Sequence, residues 1–197
     1  MAKTKSNALK NILVLFFVAL FSVSLLAVLN QVTMEPIANA EAEAKAAIYR
    51  AVYSDAADFE EITVDEIAAS DYSGINAVLE AKNESGEQIG YVIDVTSPNG
   101  YGGDVQMAVG ISNAGEITAF SVISQSETPG LGAKSAEAEF SDQFAGLKAD
   151  TIAFSKTGAN RDNNEIDAIS GATITTTAVT EAVNSAISVY NNFLKGE

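Results

Sequence analysis

The sequence predicts an α+β fold: an antiparallel sheet with helices packed on it, tethered by one N-terminal transmembrane helix. Three observations carry this. Ile12 to Leu29 is an uncharged apolar run of 18 residues whose only hydroxyls are Ser22 and Ser24. Between residues 76 and 124, period-two apolar runs follow one another through turn residues, with no helical stretch between them. Near the C-terminus, Val183, Ile187, Tyr190 and Leu194 recur at steps of four, three and four, which is one face of a helix.

The elements follow in chain order. A basic tail, residues 1–11, precedes the apolar run, residues 12–29. At ~1.5 Å per residue that run spans roughly 27 Å, about one hydrocarbon core. Lys3, Lys5 and Lys10 lie only on its N-terminal side, so the first thirty residues carry +3. The positive-inside rule puts that end in the cytoplasm and the rest of the chain outside, as a single-pass protein of the cell (inner or plasma) membrane. A cleaved signal peptide is the rival reading, because Ala38-Asn39-Ala40 resembles a cleavage site. The length of the run, and the intervening Glu35 and turn-forming Pro36, favour an uncleaved anchor.

Residues 30–74 read as a stalk and an acidic linker region, with an Ala/Glu-rich helix at 37–52 and weak patterning over 54–74. The main domain is expected over 75–197. Asn76–Lys82 and Gln88–Thr96 flank a turn at Asn83–Gly86, and Ile89, Tyr91, Ile93 and Val95 alternate as in a half-buried strand. The loop Ser97–Gly103 leads to Val105, Met107, Val109 and Ile111, which alternate again, and Ile117–Ser124 returns. After Pro129-Gly130 the pattern turns helical, with Ala138, Phe140 and Phe144 toward the apolar side. A short strand at Thr151–Lys156, a polar loop at Gly158–Asp167 and a long helix from about Gly171 to Leu194 complete the chain.

Composition removes whole classes of chemistry. The 197 residues include no Cys, no His and no Trp. Disulfides, thiolate zinc sites, Cys-held iron–sulfur clusters, His-ligated haem and Ser-His-Asp catalysis are all excluded. Carboxylates, hydroxyls, backbone groups or a borrowed cofactor remain. Beyond residue 30 the chain carries −18, which disfavours nucleic acid as a partner.

Several motifs fail on inspection. Gly130-Leu131-Gly132-Ala133-Lys134-Ser135 lacks the Gly that a phosphate-binding P-loop needs directly before Lys. Gly100-Tyr101-Gly102-Gly103 leads into a strand, not into the helix of a dinucleotide fingerprint. Asp162–Asp167 has calcium-friendly oxygens but lacks the EF-hand Gly and distal Glu, so a solvated polar loop is the better reading and no metal site is expected. Asp167-Ala168-Ile169-Ser170-Gly171-Ala172-Thr173 is more informative. Ser170 reads as the N-cap of the final helix, with Gly171, Ala172 and Thr173 as its first turn. The free N–H groups there suit an anion, and the small side chains of Gly171 and Ala172 let a phosphate approach.

That heptapeptide resembles the flavinylation motif of membrane-anchored FMN-binding domains. Glu127-Thr128-Pro129-Gly130-Leu131-Gly132, about forty residues upstream, resembles a string shared by the G subunit of Rnf complexes and the C subunit of the sodium-translocating NADH:quinone oxidoreductase. Gly100-Tyr101-Gly102-Gly103-Asp104 resembles their glycine-rich loop, and the single anchor matches too. The chain's length favours the Rnf G subunit over the larger C subunit. The resemblance implies an electron carrier within an ion-translocating ferredoxin:NAD oxidoreductase. Its implied partners are the other membrane and peripheral subunits, together with a flavin transferase that uses FAD and Mg²⁺. It implies FMN bound covalently, as a phosphoester, to Thr173. It further implies that Ser170, Gly171, Ala172, Glu127, Thr128, Gly130, Leu131 and Tyr101 contribute to the cofactor site, with no catalytic residue in the acid–base sense. Thr177, one turn along the same face, is the nearest rival acceptor. A membrane-tethered binding or assembly module without redox chemistry is the alternative of a different class.

Overall fold

The computed structural model describes residues 2–63 and 74–196. Part of the acidic 54–74 stretch, residues 64–73, lies outside the described residues. The chain divides into two units, Met1–Ala44 and Lys45–Glu197.

The first unit belongs to α1 (Ala2–Val52), a helix long and apolar enough to cross a membrane. From Ile12 to Ile37 its large apolar side chains remain 47–71% exposed, as an element facing lipid requires. Pro36 does not turn the chain; it lies inside α1. Anchor and stalk are one helix, because the Ala- and Glu-rich sequence after Pro36 propagates it despite the one missing N–H donor.

The second unit is built on a five-stranded antiparallel meander. Its strands are β1 (Asp58–Ile62), β2 (Ile75–Lys82), β3 (Gln88–Ser97), β4 (Val105–Ser112) and β5 (Ile117–Gln125), in spatial order β1-β2-β3-β4-β5. A 3₁₀ turn (Gly132–Ala136), the short helix α2 (Ala138–Ser141), the strands β6 (Ala153–Ser155) and β7 (Glu165–Asp167), and the long helix α3 (Thr173–Val189) follow. A π-helical turn at Tyr190–Leu194 ends the chain's regular structure.

Tyr91, Ile93 and Val95 of β3, with Met107, Val109 and Ile111 of β4, form the main core with Val179, Val183, Ile187 and Tyr190. The expected face of the C-terminal helix is therefore the buried one. Phe144 is fully buried here, with ring centroids 4.6 Å from Phe120 and 5.6 Å from Phe140. Phe144→Ala is expected to cost roughly 3–5 kcal/mol, measured as a loss of unfolding free energy in urea followed by circular dichroism.

Five features depart from the sequence expectation. First, β3 is buried on both faces, because Val92 meets Val52, Tyr53, Leu79 and Ala108 in a second core on the far side of the sheet. Ile89 joins that second core, since a bulge skips it in the pairing of Ala81 with Gly90 and Lys82 with Gln88. Second, the acidic stretch contains β1, whose Phe59 packs on Tyr49. Third, the segment Lys45–Val52 belongs to the compact unit, where the sequence reads a stalk. Fourth, the polar loop contains β7, which pairs in parallel with β6. Fifth, Ala138 is exposed while Phe140 is buried, because α2 is only one turn long and presents a single residue to the core.

The end of α1 is clasped to the sheet by one carboxylate. Asp94 is fully buried on β3 and accepts hydrogen bonds from Lys45 Nζ (2.9 Å), Tyr49 OH (2.8 Å), Asn76 Nδ2 (2.7 Å) and Gln106 Nε2 (2.8 Å). Burial, then the charge of Asp94 and the bond to it, push the Tyr49 phenol well above its ordinary value.

Candidate cofactor site

The loops after β3 and β5 and the N-terminus of α3 meet at a cleft of ≈ 500 Å³. It is lined by Tyr101, Glu127, Thr128, Leu131, Gly132 and residues 171–175. The structure thus brings together seven of the expected site residues: Tyr101, Glu127, Thr128, Leu131, Gly171, Ala172 and Thr173. Gly130 and Ser170 stay outside; Ser170 lines a neighbouring hollow with Lys134 and Asp167.

Two tight turns shape the cleft. Thr128-Pro129-Gly130-Leu131 is closed by Leu131 N–H donating to the Thr128 carbonyl (3.1 Å), with Gly130 at φ +78°. A left-handed residue at the third position is the requirement of a type II turn, and Pro129 at the second position favours it, so Gly130 acts through backbone shape. Ile169-Ser170-Gly171-Ala172 repeats the arrangement: Ala172 N–H donates to the Ile169 carbonyl (3.0 Å) and Gly171 has φ +78°.

This second turn corrects the expected helix start. A left-handed Gly171 cannot be a helical residue, so α3 begins at Thr173 with Ala172 in the cap position and no side-chain cap. Ser170 is a turn residue, not an N-cap. Thr176 does the stitching instead: its Oγ1 accepts from Ile169 N–H (3.1 Å) and donates to the Ala172 carbonyl (3.0 Å). The first-turn amides without an intrahelical acceptor are consequently those of Thr173, Ile174 and Thr175, set at the positive end of the helix dipole.

The four threonines of this turn differ sharply. Thr175 is buried and donates to Glu127 Oε2 (2.8 Å). Thr176 is buried and engaged on both sides of its hydroxyl. Thr177 donates to the Thr173 carbonyl (2.9 Å). Thr173 is exposed, and among the described residues its hydroxyl has no hydrogen-bond partner.

The walls are apolar in an unusual way. Beyond α1, the only large hydrophobic side chains left exposed among the described residues are Tyr101, Leu131 and Ile174, and all three line this cleft. Glu127 is buried at its base, with Oε1 accepting from Gly102 N–H (3.0 Å). Sequence reasoning missed Gly132, Ile174 and Thr175 as lining residues. Gly132 was within reach, since it closes the Glu-Thr-Pro-Gly-Leu-Gly string; a Cβ there would lie 2.2 Å from Glu127 Oε2. Among the described residues no group of acidic side chains is placed to hold a metal ion.

Exposed apolar walls, free helix-terminal amides and one uncommitted hydroxyl fit a flat aromatic cofactor that carries a phosphate. Accordingly, residues 100–188 match the FMN-binding domain family. The chain is 37% identical over 190 residues to the G subunit of the Na⁺-translocating ferredoxin:NAD⁺ oxidoreductase complex of Acetobacterium woodii, covering 93% of this chain and 91% of that one. It is 35% identical over 181 residues to the G subunit of the ion-translocating oxidoreductase complex of Methanosarcina acetivorans, covering 90% and 92%. Among solved structures it resembles the C subunit of the Na⁺-translocating NADH-quinone reductase from Parabacteroides distasonis, with TM-score 0.53 and 26% identity over 61% of this chain and 63% of that one. The chain belongs to the family of G subunits of ion-translocating oxidoreductase complexes.

Proposed function

We propose that this chain is the electron-transfer subunit of an ion-translocating ferredoxin:NAD oxidoreductase complex, carrying FMN joined through its phosphate to Thr173. The observation that carries the assignment is the free Thr173 hydroxyl opening onto the exposed apolar walls. FMN supplies one- and two-electron redox chemistry, which no side chain of this composition offers.

The chain's own groups have definable tasks. The amides of Thr173, Ile174 and Thr175 stabilise the phosphodiester charge, by ~0.3–1 kcal/mol at an exposed helix end. Tyr101, Leu131 and Ile174 pack on the ring and keep water from it. The turns at Gly130 and Gly171 bring Leu131 against the helix start; a Cβ on Gly171 would lie 3.1 Å from Leu131 Cδ2. No base stands ready to activate Thr173, since the chain has no His. A flavin transferase supplies that step: the bond from Thr173 Oγ1 to the FMN phosphorus replaces the one to AMP in FAD, and the hydroxyl proton passes to the transferase.

The other membrane and peripheral subunits of the complex are the partners this reading requires. Identity of 37% along 91% of a G subunit favours it over the C subunit of the quinone reductase, where the likeness reaches 26% along 63%. The deciding experiment is an intact mass and peptide map of the chain co-expressed with a flavin transferase. A gain of one FMN less one water on the Thr173 peptide supports the reading. An unmodified chain, with the transferase active on another substrate, sinks it and leaves the tethered binding module.

The charge asymmetry about the anchor supports a cytoplasmic N-terminus and an extracytoplasmic main domain. The absence of cysteine makes this simple to test. Ser85→Cys, in the exposed β2–β3 turn, is expected to react with a membrane-impermeant maleimide in spheroplasts, and Thr4→Cys only after lysis. The reverse pattern contradicts this orientation.

A further inference from the structure

Glu127 carries more than a structural duty. It is 6% exposed, and both carboxylate oxygens are occupied, Oε1 by Gly102 N–H (3.0 Å) and Oε2 by the Thr175 hydroxyl (2.8 Å). Two accepting oxygens are the arrangement of an ionised carboxylate. The fit leaves no slack: a Cβ on Gly100 would lie 2.6 Å from Oε1, and one on Gly132 2.2 Å from Oε2. Among the described residues the ion pairs involve Lys45 and Lys82, so no cation is paired with Glu127. Burying an unneutralised charge is costly, and a neutral amide joins two loops as well as a carboxylate does. The charge therefore needs a reason other than holding the loops.

We propose that Glu127 lowers the reduction potential of the flavin, by placing a fixed negative charge in the wall of the cleft. This rests on the reading of the cleft as the FMN site. Reduction by two electrons and one proton leaves the cleft one negative charge richer. A buried carboxylate opposes that charge through a low-dielectric wall, where salt screens it little. Glu127 is thus a positioning residue for Gly102 and Thr175 and, separately, an electrostatic one. Its oxygens are committed to these two partners and not turned to a ligand.

The test uses the full-length chain, flavinylated by a co-expressed transferase and titrated with dithionite against a reference dye. Glu127→Gln keeps the shape: its carbonyl accepts from Gly102 N–H, and its amide donates to the Thr175 hydroxyl. Its midpoint is expected to rise by about tenfold in the redox equilibrium constant, about 30 mV for a two-electron couple. Thr175→Val keeps the charge and withdraws one hydrogen bond from it, so its midpoint is expected to fall. A purely structural role moves both variants the same way or neither. A redox equilibrium constant within twofold of wild type for Glu127→Gln overturns the proposal. So does a rise in Thr175→Val, even where Glu127→Gln fails to fold, which melting of the flavin-free proteins reports. A wild-type chain without attached flavin overturns the site reading itself, and this proposal with it.

Discussion

Thr173→Ala is expected to abolish covalent flavin completely. The intact mass should be that of the bare chain, and denatured protein should show no flavin fluorescence on a gel. The effect is all-or-none because the neighbouring hydroxyls are committed elsewhere: Thr175 to Glu127, Thr176 to Ile169 and Ala172, and Thr177 to the Thr173 carbonyl. Thr177 is the sharpest comparison. It lies one turn along the same face, yet its hydroxyl points back into the helix at 2.9 Å from a carbonyl. Thr177→Ala should therefore retain one flavin per chain. Thr173→Ser, which preserves the hydroxyl, should recover attachment at least in part. Full flavinylation of Thr173→Ala, or its loss in Thr177→Ala alone, would move the acceptor and contradict the assignment. Stability should change little in Thr173→Ala, because the side chain is exposed and makes no hydrogen bond among the described residues.

Asp94→Ala is the second large effect, and it falls on stability. Removing the carboxylate takes the shared acceptor from the Tyr49 hydroxyl, the Gln106 amide, the Lys45 ammonium and the Asn76 amide, of which Asn76 keeps its bond to Thr96 Oγ1. Breaking a fully buried ion pair costs about 3–5 kcal/mol. The Lys45 side chain is 38% exposed and regains water, so about 2–4 kcal/mol is expected here. The loss should be local before it is global. Hydrogen exchange over residues 45–53 should accelerate more than in α3, since these residues are held to β3 by this cluster and the small second core. Asp94→Asn keeps one acceptor oxygen and should lose less. Unfolding free energies within about 0.5 kcal/mol of wild type for Asp94→Ala would contradict the clasp. The Tyr49 phenol offers an independent reading. Its upward shift is due partly to Asp94, so in Asp94→Ala it should titrate closer to ordinary tyrosine.

These two variants also separate what is local from what is long-range. Thr173 is legible as a candidate acceptor because the motif that singles it out lies in seven consecutive residues, and local turn and helix-start chemistry is written over that distance. Ser170 looks like an N-cap, but the left-handed Gly171 ends that possibility, and Thr176 supplies the stitching from inside the helix. Small residues before a helix admit both arrangements, and contact with Leu131, from forty positions upstream, accompanies the one adopted. Glu127 is legible as a candidate for the cleft, while its hydrogen bonds to Gly102 and Thr175, 25 and 48 positions away, are not.

By itself the sequence determined the apolar helix at the N-terminus, the antiparallel meander, the buried face of the last helix and the candidate acceptor threonine. Each follows from a period or a motif contained within one element, where side-chain direction repeats every 2 or about 3.6 residues. Only the tertiary structure decided that the end of α1 belongs to the sheet, that β3 is covered on both faces, that β6 and β7 pair in parallel, and that Glu127 is buried with no ion-pair partner among the described residues. Those features depend on which residues distant in the chain come to share one volume. A hydrogen bond or a core contact has no signature in either partner's neighbours, so Asp94 reads as an ordinary strand residue until Lys45, Tyr49, Asn76 and Gln106 close around it.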